Sequence, residues 1–233
     1  MPAVQYRDGG EIFGNLTVYG RLSASNLCGG GGGGGSGPYV AGSGTCSIQA
    51  FTDTNNNASG NYSTIVNGFS STASGLYSIV NTGLCNKASG QLSTILNGSI
   101  NTASGYYSVV NNGTGNTSSG NYGTILNGYF NNATEYSSIV GSGDNNLASG
   151  ILYSTVINGA NNCANACYSS VINGYNNVIA TGHNYSTIAG TGIASVSACM
   201  LHVNMLYAAN LPTSNPGVPG VVWNDGGTLK IST

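Results

Sequence analysis

One short pattern of apolar and polar positions returns along most of this chain. From Ala58 to Leu147 it divides into fifteens: ASGNYSTIVNGFSST, ASGLYSIVNTGLCNK, ASGQLSTILNGSINT, ASGYYSVVNNGTGNT, SSGNYGTILNGYFNN and ATEYSSIVGSGDNNL. A small-residue column holds Ala58, Ala73, Ala88, Ala103, Ser118 and Ala133. A β-branched column holds Ile65, Val80, Ile95, Val110, Ile125 and Val140, and a glycine column holds Gly68, Gly83, Gly98, Gly113, Gly128 and Gly143. A fixed period with fixed chemistry means one structural unit stacked on copies of itself.

The unit reads as β. Glycine and short polar residues are poor helix formers, and no apolar stripe recurs at helical spacing. Tyr62-Ser63-Thr64-Ile65-Val66 followed by Asn67-Gly68 predicts a strand and then a tight turn needing positive φ. A second turn is expected at Ala58-Ser59-Gly60, where small residues permit close backbone approach. Each fifteen therefore predicts one coil of a β-solenoid with two short strands and a narrow interior filled by Ala, Gly, Ser and one Ile or Val. Nine such coils at about 4.8 Å each give a rod of roughly 43 Å.

So thin a core leaves little apolar burial to offset chain entropy. A second aliphatic residue suggests where more is found. It alternates between Val66, Leu96 and Leu126 in one set of coils and Ile79, Val109 and Ile139 in the other, a secondary period of thirty residues. Packing against partner chains, as in a homotrimer, is the expectation this raises.

The pattern N-x-A-S-G-x-Y-S-T-[IV]-x-N-G, over about residues 46 to 194, resembles the head repeats of trimeric autotransporter adhesins, the YadA-like or Hep/Hag-type head. Similar repeats occur in phage fibre proteins. The resemblance implies a left-handed parallel β-roll with three chains packed around a common axis. The adhesin repeats are usually about fourteen residues, whereas coils here have fifteen or sixteen.

Composition narrows the function. Only 4% of residues are charged, against about 25% in ordinary proteins, and the net charge is −2. That leaves no basic surface for nucleic acid. No stretch reaches the length of an apolar membrane span, and Met1 to Asp8 has no signal-peptide character. A self-secreting adhesin needs both a signal and an anchor, so the reading favours a virion protein assembled in a bacterial host cytoplasm.

In chain order, residues 1–27 are expected to form a β attachment segment or a capping strand that blunts the solenoid's open edge, with Glu11 to Leu22 alternating as strand, glycine, strand. Its phrase NLTVYGRL resembles segments near the base of phage fibres. Residues 28–43, with seven glycines from Gly29 to Gly35, read as a flexible linker, with a tightly packed three-chain crossing as the alternative. Residues 44–198 are the solenoid, in which one-residue insertions after Leu147 belong in turns. Residues 199–233 read as a cap: a covering strand or turn of helix near Met200–Tyr207, then a hairpin around Asp225-Gly226 with Trp223 as its core plug. The ending LPTSNPGVPG…WNDGGTLKIS resembles C-terminal segments of tailed-phage structural proteins.

Catalysis is not expected. The six carboxylates form no recurring pair, and His183 and His202 read as isolated. The six cysteines lack zinc-pair context and read as small buried thiols, with an inter-chain disulfide at Cys28 as an alternative. No metal or cofactor is expected. The candidate contact surface is the column Tyr62, Tyr77, Tyr107 and Tyr122, interrupted by Leu92. It serves either as a stacked support for the ladder or as a glycan-contact ladder. Thr64, Thr94 and Thr124 raise an ice-binding alternative, weakened by Ile79, Val109 and Ile139 between them. The sequence thus points to a homotrimeric fibre or spike of a tailed-phage virion. Its N-terminal segment meets other virion proteins, and its surface contacts a host glycan or protein. A capsid decoration protein and a self-assembling extracellular bacterial adhesin are the alternatives.

Overall fold

The computed structural model describes residues 39–50, 55–205 and 211–232. The expected attachment segment, the glycine run and Cys28 lie outside them. The described chain is all β, a parallel solenoid of about ten turns with coils of about fifteen residues and no helix. Two ladders run along it. One is a 12-stranded sheet that carries the Ile65 column; the other is a 9-stranded sheet that carries the Ala58 column. Successive coils pair in parallel with residues one coil apart as partners, as in Val109 with Thr124 and Thr117 with Asn132. Most strands are two residues long, Thr94–Ile95 and Thr102–Ala103 being typical.

The interior is built from five inward-facing columns. Four were expected: Ala58 and its equivalents, the Ile/Val series, serines such as Ser78 and Ser93, and glycine. The fourth is the glycine of each Ala-Ser-Gly. Of the turn and the close approach expected there, these glycines make the close approach, since Gly60, Gly75, Gly90 and Gly105 lack positive φ. They are buried because neighbouring coils leave no room for a side chain. A Cβ on Gly105 would lie 2.1 Å from the Gly120 carbonyl oxygen. Coil volume is conserved even where sequence departs from the pattern. Ser118 replaces Ala where Gly123 replaces Ser, and the Ser118 hydroxyl lies 2.8 Å from where a Gly123 Cβ would stand.

The bend expected at Ala58-Ser59-Gly60 falls two residues later. Tyr62, Tyr77, Leu92, Tyr107 and Tyr122 all have φ between 54° and 59°, so this column is the corner itself. The strand that follows begins at Thr64, not Tyr62. From the second coil on, the glycine column forms a second bend, as predicted: Gly83, Gly98, Gly113, Gly128 and Gly143 have φ of 102–113°, a region that other residues enter only with strain. Gly68, where that turn was expected first, instead lies within the strand Thr64–Phe69 without positive φ.

The fifth inward column was not assigned a role from sequence. Asn86, Asn101, Asn116, Asn131, Asn146, Asn162 and Asn177 are the leading Asn of the repeat and are at most 1% exposed. Each reaches both along the axis and across its own turn. Asn116 Oδ1 accepts the backbone N–H of Asn131 at 2.9 Å. Its Nδ2 donates to Asn112 O at 3.2 Å and to Gly128 O at 2.8 Å. The same three bonds recur at Asn101 and Asn131. This asparagine ladder satisfies the polar backbone of the glycine bend inside the rod.

The first register change sits in a corner, as expected, whereas a later one interrupts the long sheet between Val171 and Asn173. Tyr136 pairs with Leu152 sixteen residues on, although Ala133 and Ala148 are fifteen apart. The insertion is exposed Ile151. At one end, Tyr39–Ala41 adds antiparallel to Ile48–Ala50; at the other, Leu201–Val203 covers the last strand of the long sheet. The C-terminal hairpin pairs Val222–Asp225 with Thr228–Ile231 around Gly226-Gly227, one residue beyond the expected centre.

Asn116→Ala is expected to cost roughly 3–5 kcal/mol, because three buried or half-buried backbone groups lose their partner. Exchange of the Asn131 amide proton should accelerate accordingly. Asn112→Ala, on the exposed side of the same bend, should stay within about 0.5 kcal/mol.

Candidate binding surfaces

The two sheets present opposite chemistry to the outside. On the long sheet, the residues on either side of each inward Ile or Val face outward. Here the thirty-residue alternation takes physical form. Val66, Leu96 and Leu126 follow the inward residue, whereas Ile79, Val109 and Ile139 precede it. Both sets lie on one face, in a staggered pattern. Leu96 is 41% exposed, Leu126 49% and Ile139 41%. The Thr64, Thr94 and Thr124 column is the polar complement of this pattern on the same face. Ile79, Val109 and Ile139 pair directly with those threonines, so no continuous Thr array exists. The second sheet instead faces outward with hydroxyls, Thr72 and Ser74, then Thr102 and Ser104, broken by Lys87 and Leu147.

The tyrosine corner forms an edge between the faces. Its left-handed backbone throws each ring outward, and the 15-residue repeat sets ring upon ring. Tyr62 and Tyr77 stack at 4.9 Å with planes 11° apart, and Tyr107 and Tyr122 at 5.5 Å and 8°. The column extends beyond the four tyrosines read from sequence. Tyr153, Tyr168 and Tyr185 stack in turn at 5.3 and 5.0 Å. Tyr136, from the neighbouring position, bridges Tyr122 to Tyr153 edge-on. The repeat spacing of fifteen to seventeen residues would have found these three, once the corner insertions were allowed for. Tyr106 packs edge-on against Tyr107. Its phenol is held above the usual range, first by its hydrogen bond with Tyr107 and then by burial.

Stacking limits what this edge can bind. A sugar ring needs a free aromatic face, and within each stack those faces are covered by neighbouring rings. Ring edges and phenol oxygens remain exposed along the ladder. Faces not covered by another ring are confined to its interruption at Leu92, between Tyr77 and Tyr107, and to its ends at Tyr62 and Tyr185.

Other candidate chemistry stays dispersed. The Asp, Glu, Lys and Arg side chains of the described residues are Lys87, Glu135, Asp144, Asp225 and Lys230. Among the described residues no group of His, Cys, Asp and Glu could hold a metal ion. His183 is not isolated: its Nδ1 lies 2.6 Å from Ser195 Oγ, which also accepts the Ala180 N–H at 3.0 Å. This bond ties together the corner loop that carries the insertion around Gly182. The expectation of buried thiols is corrected. Cys85 and Cys199 are exposed, and Cys46, Cys163 and Cys167 half-buried, because none of the five stands in an inward-facing column. Burial pushes the Cys163 thiol above its ordinary range, against a hydrogen bond to Asn165. Trp223 is half-buried rather than a core plug. It lies on the hairpin with Lys230 Nζ 5.5 Å from its ring centre, and Lys230 also pairs with Asp225. Among the described residues, no helix is long and apolar enough to cross a membrane.

Leu92→Tyr should join the two aromatic stacks, since Leu92 already holds the required φ of 59°. The expected gain is about 0.5–1.5 kcal/mol, read as a higher thermal midpoint. Compared with known proteins, the chain matches no family model and no curated protein.

Proposed function

We propose that this chain is a structural rod that works as a homotrimer: a fibre or spike of a tailed-phage virion that projects from the particle and contacts the host surface. The observation that carries the reading is the long sheet's outward face. An aliphatic side chain stands on it at almost every coil, whereas the second sheet faces outward mainly with hydroxyls and amides. A face of this kind is suited to partner chains, and parallel packing around a shared axis would bury it. The repeat's resemblance to YadA-like heads supports three chains and a left-handed roll. The LPTSNPGVPG…WNDGGTLKIS ending supports a virion. Dispersed carboxylates and a lone His–Ser contact support a role without catalysis.

In this reading the N-terminal segment meets other virion proteins. The hydroxyl face and tyrosine edge are left for solvent and for a host glycan or protein. A ligand there meets ring edges and phenol hydroxyls along the stacks, with ring faces offered near Leu92 and at the ends of the ladder.

Light scattering on the purified chain should give the mass of three chains, in an assembly that resists SDS at room temperature. A stable monomer would overturn the shared-axis rod. Saturable binding of that assembly to host cells is the expected second result. Incorporation into particles without any such binding would reduce the role to capsid decoration.

A further inference from the structure

The outward face of the long sheet carries a rule finer than alternation. From Thr64 to Ile172 each coil sets two side chains there, flanking the inward residue, and one is aliphatic while the other is short or polar. The last two coils depart from this, with Thr187 and Ala189 and then Leu201 and Val203. Thr124 is followed by Leu126, Ile139 by Gly141 and Thr155 by Ile157. The side that carries the aliphatic alternates from Thr64 through Ile157. It then stops alternating, because Ile157 and Ile172 both follow the inward residue. The one-per-coil rule survives that break. Ile172 is matched by Ser170 within its own coil, and both isoleucines are exposed, at 50% and 43%.

From this we infer that the face docks a second copy of this chain, parallel and in register, with the preceding column of one chain against the following column of its neighbour. Symmetry supplies the reason. Rotation about an axis along the rod keeps every coil at its own height and brings opposite columns together. Each aliphatic side chain then meets the short side chain of the same coil in the partner: Leu126 meets Thr124, and Gly141 meets Ile139. A shift of one coil would set Leu126 against Ile139 or Ile157 against Ile139, large upon large. An antiparallel arrangement sets each column against itself. Successive Ile157 and Ile172 would then face a column in which large and short alternate, and one of them would collide. The alternation thus fixes the register and its interruption fixes the direction. The inference rests on the assembly reading above and specifies its contact.

The test exploits symmetry. Thr124→Leu places leucine opposite Leu126 of the neighbour in every interface. Overpacking of this size should raise the concentration at which the assembly half-dissociates by about tenfold or more. The double variant Thr124→Leu with Leu126→Thr exchanges the two sides in every chain and should restore assembly to near the original concentration dependence. Light scattering across a dilution series reads both, and circular dichroism of each variant checks that the solenoid is intact. A harmless Thr124→Leu, or a double variant that fails to recover, overturns the in-register pairing while leaving a trimer standing. A wild-type chain that is monomeric overturns both.

Discussion

The constraint on which the rod depends is the backbone of the glycine bend. Stacking one such bend on another directs carbonyls and amides into a narrow interior from which water is excluded, and an unpaired group there is costly. The buried asparagine column answers this with one side chain per coil. A carboxamide is both donor and acceptor, so Oδ1 takes an N–H from the next coil while Nδ2 binds two carbonyls of the bend. Aspartate would lose the donor, and leucine would lose both. Where Ser71 stands in this column, its hydroxyl still accepts the N–H of Asn86 at 3.2 Å. The axial bond is thus kept by a smaller group.

Once the bends are fixed, the interior is a matter of volume. Coils are so close that glycine carbonyls stand where a Cβ would be, and one Ile or Val per coil fills what remains. The exchange of bulk between Ser118 and Gly123 shows that the sum is held rather than the individual residue. The same accounting appears on the outside of the long sheet, where one aliphatic and one short side chain share each coil. Inside, the complementary volume lies in the same chain; outside, it is proposed to lie in the next.

The near absence of charge fits this construction. A ladder that repeats every coil would stack like charges at about 4.8 Å spacing, where they would repel. The charged groups present are single interruptions, as at Lys87 and Glu135. Solubility therefore rests on hydroxyls and amides, and recognition would rest on rings and hydroxyls rather than on ion pairs.

The sequence by itself determined the period, the β class, the inward Ala and Ile/Val columns and the glycine bend. Each follows from local chemistry repeated at a fixed interval. It did not locate the first corner. A tyrosine at φ near 58° cannot be told by type from a tyrosine in a strand, and stacking of the coils decides between them. Nor did it distinguish the buried asparagines from the exposed ones beside them. Asn112 and Asn116 have the same chemistry in the same turn-like context, and only the path of the chain turns one inward. The thirty-residue alternation was visible as a pattern but had no meaning until the fold put both of its columns on one face. Composition fixes what a residue can do; the tertiary structure decides which way it points, and here direction separates core, ladder and contact surface.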